Sequence, residues 1–149
     1  MTTRRTALAA LSTLGLSPLR TLYAAEPDWP QWRGPNRDGI SPEMGLLRKW
    51  PAEGPRKLWS ATGLGSGFGS LAIRGNRIFV QGAKGSQSYL HCLPREGGKI
   101  LWSVDMGPRA DNDRGDGPRG TPTVDGDLLY CLSEAGLLAC LKAQGLQAS

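Results

Sequence analysis

Short strand-forming runs recur along this chain at intervals in the forties and fifties, and this recurrence constrains the fold more than any other feature. "KLW", Lys57 to Trp59, returns as "ILW", Ile100 to Trp102, 43 residues on. "SLAIRGNRIFV", Ser70 to Val80, returns as "TPTVDGDLLYC", Thr121 to Cys131, 51 residues on. "YLHCL", Tyr89 to Leu93, returns as "LLACL", Leu137 to Leu141, 48 residues on. The steps differ because the loops between runs differ in length. Each run is too short for a helix, is rich in apolar and β-branched residues, and is bounded by Gly-rich turns, so each reads as a strand.

The first unit then contains four strands: Ser70 to Arg74, Arg77 to Gly82, Ser88 to Leu93 and Lys99 to Val104. "RGN" and "REGG" supply turns in which glycine takes positive φ. In "NRIFVQG", Ile78 and Val80 share one face and Phe79 takes the other. Both faces are apolar, which predicts a strand covered on both sides. The second unit supplies Thr121 to Val124, Asp127 to Leu132 and Leu137 to Leu141, and "KAQGLQAS" follows where a fourth strand with its Trp is expected. "RKLWS", Arg56 to Ser60, reads as a fourth strand without the three before it. Several short strands and one Trp per unit predict an all-β fold, a partial β-propeller of about two four-stranded blades. A propeller closes with about four to eight blades. The expectation is therefore a piece of a longer propeller, or a chain that needs a partner. A small self-contained β-sandwich is the alternative.

The 149 residues divide into three. Residues 1–25 carry Arg4 and Arg5, an apolar run from Ala7 to Leu19, and small residues at Ala24 and Ala25. That order is expected of a cleaved export signal of twin-arginine type, and predicts a periplasmic or otherwise extracytoplasmic protein. The run is shorter than the roughly 20 apolar residues a spanning helix needs, so no integral membrane segment is expected after its removal. A frayed amphipathic helix is the alternative. Removing the segment takes away three arginines and no acid, and the net charge falls from +5 to +2. The remaining basic residues are scattered, so no nucleic-acid partner is expected.

Residues 26–54 form an irregular arm dense in Pro and Gly, with at most a turn of helix between Glu43 and Trp50. Proline removes backbone donors there and fixes φ. Two tryptophans, Trp29 and Trp32, stand in "DWPQWRGPNRDG". Each would bury on the order of 150–250 Å² and so could anchor a segment that has no ladder of its own. An aromatic ligand platform is the alternative. Residues 55–149 hold the repeats, the last one incomplete.

"GGKILW" and "TPTVDGDLLYCLSEAGLLACL" resemble the repeats of the pyrroloquinoline-quinone-like (PQQ-like) β-propellers. The matching residues are Gly98, Lys99, Trp59 and Trp102 in the strand that ends a unit, and Pro122, Val124, Gly126 and Tyr130 in the strand pair. "DWPQWRGPNRDGISPEMGLL" resembles the start of the mature part of exported bacterial propellers of this kind, among them the outer-membrane assembly factor-like and quinoprotein alcohol dehydrogenase-like branches. The resemblance covers about residues 28 to 142 and implies that Trp59 and Trp102 stack on a neighbouring blade. "LPREGGK" and "LKAQGLQAS" depart from the family's "LDAxTGK" pattern.

A family of this kind permits two functions. One is a non-catalytic scaffold or binding module that holds a protein partner or further propeller blades. The other is a fragment of a PQQ-dependent dehydrogenase, whose cofactors would be the quinone and calcium. That enzyme class shows a vicinal Cys pair, which this chain lacks, and a cofactor-free scaffold is the expectation. The loop "GPRADNDRGDGPRGTP", Gly107 to Pro122, carries the candidate site. Arg119 and Asp116 are its expected ligand contacts. Asp111, Asp113 and Asp116 alternate as calcium ligands do, but no closing glutamate follows.

Other motifs carry less. "GLGSGFGS", Gly63 to Ser70, has no following Lys-Ser/Thr and reads as a connector. One histidine, His91, beside Cys92 offers no catalytic triad. Three cysteines, Cys92, Cys131 and Cys140, are too few and too badly spaced for zinc and read as small buried residues. A hairpin turn centred on Ala135–Gly136 would instead set Cys131 opposite Cys140 as a disulfide candidate.

Overall fold

The computed structural model of the chain describes residues 27–144. The expected export signal lies outside them. Among the described residues the fold is all-β, without helix. Seven strands form two antiparallel sheets. Sheet one contains β1 (Ala72–Arg74), β2 (Arg77–Lys84), β3 (Gln87–Pro94) and β4 (Trp102–Pro108), in the order β1-β2-β3-β4. Sheet two contains β5 (Thr123–Asp125), β6 (Leu128–Leu132) and β7 (Leu138–Lys142), in the order β5-β6-β7.

The repeat is visible in the pairing register. Ile73 stands opposite Ile78 in sheet one, and Val124 opposite Leu129 in sheet two. Phe79 stands opposite Cys92, and Tyr130 opposite Cys140. Ile78 pairs with Leu93, and Leu129 with Leu141. Residues equivalent by sequence therefore occupy equivalent places in the two ladders.

The core lies between the sheets. One face of sheet one contributes Ala72, Phe79, Leu90, Cys92 and Met106, and sheet two contributes Val124, Leu129 and Cys131. Trp102 packs at the border of this cluster, its ring 6.0 Å from that of Phe79. Period-2 alternation explains the sorting: Phe79, Leu90 and Cys92 share a face because their positions are cross-strand partners or two residues apart. Strand β2 is covered on both sides, as its two apolar faces require. Ile78 and Gly82, on the face away from the core, are buried as well.

That second face is covered by the connector before β1. Ser66 forms an antiparallel bridge with Ala83. A Cβ at Gly82 would run into the Leu64 carbonyl, and one at Gly98 into the Ser60 carbonyl. Gly82 thus lets an extended chain lie directly on the sheet, and Gly98 lets it pass close over the β3–β4 connection.

The N-terminal arm does more than cover a surface. Trp29 exchanges both backbone hydrogen bonds with Ile73 of β1, at 3.0 and 2.8 Å. The next residue, Pro30, accepts from the Val124 amide of β5 at 2.8 Å. The arm therefore ties the first strands of the two sheets together. Asp28 adds an ion pair to Arg74 at 3.2 Å and accepts from the Gly75 amide at 2.7 Å. Positive φ at Gly34 lets the turn fold against the Trp29 ring, in space that a Cβ would fill.

Three expectations need correction. Trp32 is not a buried anchor: it is 60% exposed, with the Arg33 guanidinium 5.4 Å over its ring. The segment from Glu43 to Trp50 forms no helical turn, because Gly45 takes φ +73°, outside the right-handed helical region. Cys140 is exposed rather than a small buried residue like Cys92 and Cys131, and the alternative Cys131–Cys140 disulfide does not form, since all three cysteines are free. The β6–β7 register puts Leu132 opposite Leu138, which centres the turn on Ala135 and sets Cys131 opposite Ala139. A slip of one residue moves a side chain to the other face. Cys131 is buried in the core, whereas Cys140 is exposed.

Candidate functional site

Loop 109–122 joins the sheets and carries the polar groups singled out in the sequence. Arg119 donates to the Gly115 carbonyl at 2.8 Å, and its guanidinium lies 5.1 Å from the Phe68 ring centroid. Phe68 is fixed in turn by its amide, which donates to Pro118 O at 2.8 Å. Asp116 accepts from the Asn112 amide at 3.1 Å and faces Arg109 at 3.6 Å. Arg109 also pairs with Asp111 at 3.0 Å. The cation between Asp111 and Asp116 is thus the chain's own guanidinium, and Asp113 is exposed in a turn. Among the described residues no group of three or more His, Cys, Asp or Glu could hold a metal ion. These carboxylates do not fit the oxygen cage that calcium takes.

A recess of about 310 Å³ opens beside this loop, lined by Ala110, Asn112, Arg119, Gly120, Leu132, Ser133 and Glu134. Arg119 lies on it and Asp116 does not. Beneath the recess the Gln81 amide donates to Gly120 O at 3.0 Å and Leu132 O at 3.1 Å, bridging the sheets. The Ser88 hydroxyl donates to a Glu134 carboxylate oxygen, a second bridge. Neither Glu134 nor Gln81 was legible as a site residue. Glu134 is a lone acid in "SEAG", and Gln81 is one polar residue in an apolar strand. Only their cross-sheet partners give them meaning.

Burial shapes the remaining titratable groups. The Cys131 thiol is pushed up to about 12, first by burial and then by the nearby Glu134 charge. Burial also raises the Cys92 thiol. Both are poor nucleophiles, since the thiolate is the reactive form. His91 is buried against the connector. Its Nε2–H donates to the Leu64 carbonyl at 3.1 Å, which leaves Nδ1 to accept from the Ser103 hydroxyl at 2.8 Å. Both ring nitrogens are satisfied in the neutral form.

Desolvation lowers the His91 pKa below its ordinary 6.5. A lowered value means that the unfolded chain binds the proton more readily. The stabilisation is complete above pH 6.5 and is lost as pH falls from there through the folded-state value. Thermal melts are expected to show a lower Tm near about pH 5 than near about pH 7.5. His91→Gln should flatten that part of the profile. An unchanged slope would remove His91 from the account.

An exposed apolar surface lies on the outside of sheet two. Tyr130 and Cys140 are cross-strand partners on that face, as are Leu132 and Leu138. Leu132 is 55% exposed and Leu138 67%. The equivalent face of sheet one, around Phe79 and Cys92, is buried under sheet two. Trp59, expected to stack on a neighbouring blade, is exposed in the connector, whereas Trp102 is partly buried at the core. Comparison of the chain with family models, with curated proteins and with solved structures gives no match.

Proposed function

We propose that the protein is an exported, non-catalytic β-propeller repeat protein of PQQ-like type that works as a scaffold or binding module. The observation that carries this reading is the equivalence of the two sheets. The Phe79–Cys92 face of one unit packs on the next, and the same face of the next unit, Tyr130–Cys140, is exposed and apolar. A surface of this kind is an interaction surface. Further blades or a protein with a complementary apolar sheet face would fit it. The recess at Arg119 and Glu134 is a secondary, polar contact point at the end of the same inter-sheet seam.

The reading is tested in cells that express the chain from its own start. A photo-crosslinker replacing Leu138 is expected to give a discrete adduct in the extracytoplasmic fraction, and one replacing Asp111 is not. A chain confined to the cytoplasm, or crosslinking that does not depend on position, would overturn it. So would dye reduction by the purified chain with quinone, calcium and an alcohol, which would favour the dehydrogenase alternative.

A further inference from the structure

Among the described residues β7 pairs with β6 on one side and with no strand on the other. In sheet one the corresponding edge is filled: β4 lies on β3, with Trp102 opposite Cys92 and Ser103 opposite His91. Phe79 flanks Cys92 on its other side. The result is a cross-strand row, Phe79–Cys92–Trp102, that ends in an aromatic contact. Sheet two holds two-thirds of the same row, Tyr130–Cys140. Among the described residues it lacks a strand carrying a tryptophan.

The chain carries a spare one. "LWS", Leu58 to Ser60, repeats "LWS", Leu101 to Ser103, the start of the strand that fills the edge in sheet one. Residues 55–60 are exposed throughout, Leu58 at 74%. Residues 55–62 form no backbone hydrogen bond among the described residues. The segment thus has free backbone donors and acceptors and strand-forming side chains, and the β7 edge has unpaired groups of its own.

We propose that residues 58–61 of one copy add as a fourth, antiparallel strand to the β7 edge of a second copy. By equivalence with β4, Trp59 stands opposite Cys140 and Ser60 opposite Ala139, and the Trp59 ring reaches Tyr130. The segment cannot serve its own β7. Ser60 and Ala61 lie against Gly98, and the chain that follows is held at Leu64 and Ser66 along sheet one, on the side away from sheet two. The contact between copies is therefore head-to-tail, which yields a ring or an open chain of copies rather than an isologous pair. Lys57 comes opposite Lys142, and like charges directly opposite each other weaken a strand pair. Association therefore strengthens with salt, which screens that repulsion.

The inference deepens the scaffold reading and rests on its repeat equivalence. Its test uses the full chain. Opposed residues in an antiparallel pair lie about 4.5–5.5 Å apart at Cα, within disulfide range. Mild oxidation of the Trp59→Cys chain is expected to give a ladder of covalent multimers, lost when Cys140→Ser is added. The Ser60→Cys chain, whose side chain takes the other face, should give roughly tenfold less. Light scattering on the unmodified chain should show a mass that rises with concentration and with salt, and Lys142→Glu should raise it further at low salt. A folded chain of constant monomer mass would overturn the inference, as would equal crosslinking at the two positions. Either result leaves the scaffold reading standing if the Leu138 crosslinker still captures a different protein in cells. If that adduct is also missing, the scaffold reading fails too.

Discussion

Phe79→Ala is expected to cost about 3–5 kcal/mol, the range for truncating a buried aromatic side chain. Phe79 is fully buried, stands opposite both Ala72 and Cys92, and lies against Trp102. Its face of sheet one is where sheet two packs, so the cavity would open in the seam between the sheets. Domains of this kind have only about 5–15 kcal/mol of total stability. Urea denaturation followed by circular dichroism should therefore show a midpoint moved far toward zero, or no folded baseline. Val80→Ala, a smaller truncation on the other face of β2, should cost less. If Phe79→Ala unfolded no earlier than Val80→Ala, the seam would not be the core of the protein.

Gly82→Ala is expected to be strongly damaging for a single added methyl. The new Cβ meets the Leu64 carbonyl, which is backbone and cannot rotate away as a side chain would. The connector must lift from the sheet. The His91 bond to Leu64 and the Ser66–Ala83 bridge would stretch or break with it. Overpacking of this kind costs about 1–3 kcal/mol. At about 4–8 °C per kcal/mol, a clear drop in Tm should follow. Lifting the connector also releases the restraint that keeps His91 neutral, so the acid-side loss of stability should shrink in the same variant. A lowered Tm with the His91 pH dependence intact would mean that the strain is relieved elsewhere. Gly75→Ala is a useful contrast, since a Cβ there meets nothing within 4 Å, though the φ of +52° still carries its own strain.

The strands were legible in the sequence because alternation, β-branching and Gly-bearing turns all pointed the same way. Each of the seven lies within a few residues of its expected place. Among these the largest difference is β4, expected from Lys99 and observed from Trp102 to Pro108, and the further strand expected at Arg56–Ser60 does not form, since residues 56–60 lie outside any strand. Gly98 lies under the Ser60 carbonyl, and residues 99–101 are outside the strand. Turn centres were less legible. "LSEAGLLA" permits a turn at Ala135 or half a residue later, and that choice separates a buried Cys131 and an exposed Cys140 from a disulfide pair.

The two tryptophans of the arm show the same limit. Trp29 and Trp32 have the same side chain and similar neighbours in sequence, yet only Trp29 meets a strand edge, at Ile73. Nothing local distinguishes them. What decides is the presence of β1, more than forty residues away. Of the candidate site, Arg119 could be read from the loop and does line the recess. Glu134 and Gln81 act only across the seam, through Ser88 and through Gly120 and Leu132, so no sequence spacing could reveal them.

With sheet two packed on the Phe79 face, the two repeat units should unfold as a single cooperative body. Native-state hydrogen exchange of the full chain, resolved by residue, tests this most directly. Paired amides in β2, β3 and β6 are expected to open together, with one common free energy. Free exchange throughout β5–β7, with sheet one still protected, would contradict this, because the second sheet would then not be packed on the Phe79 face.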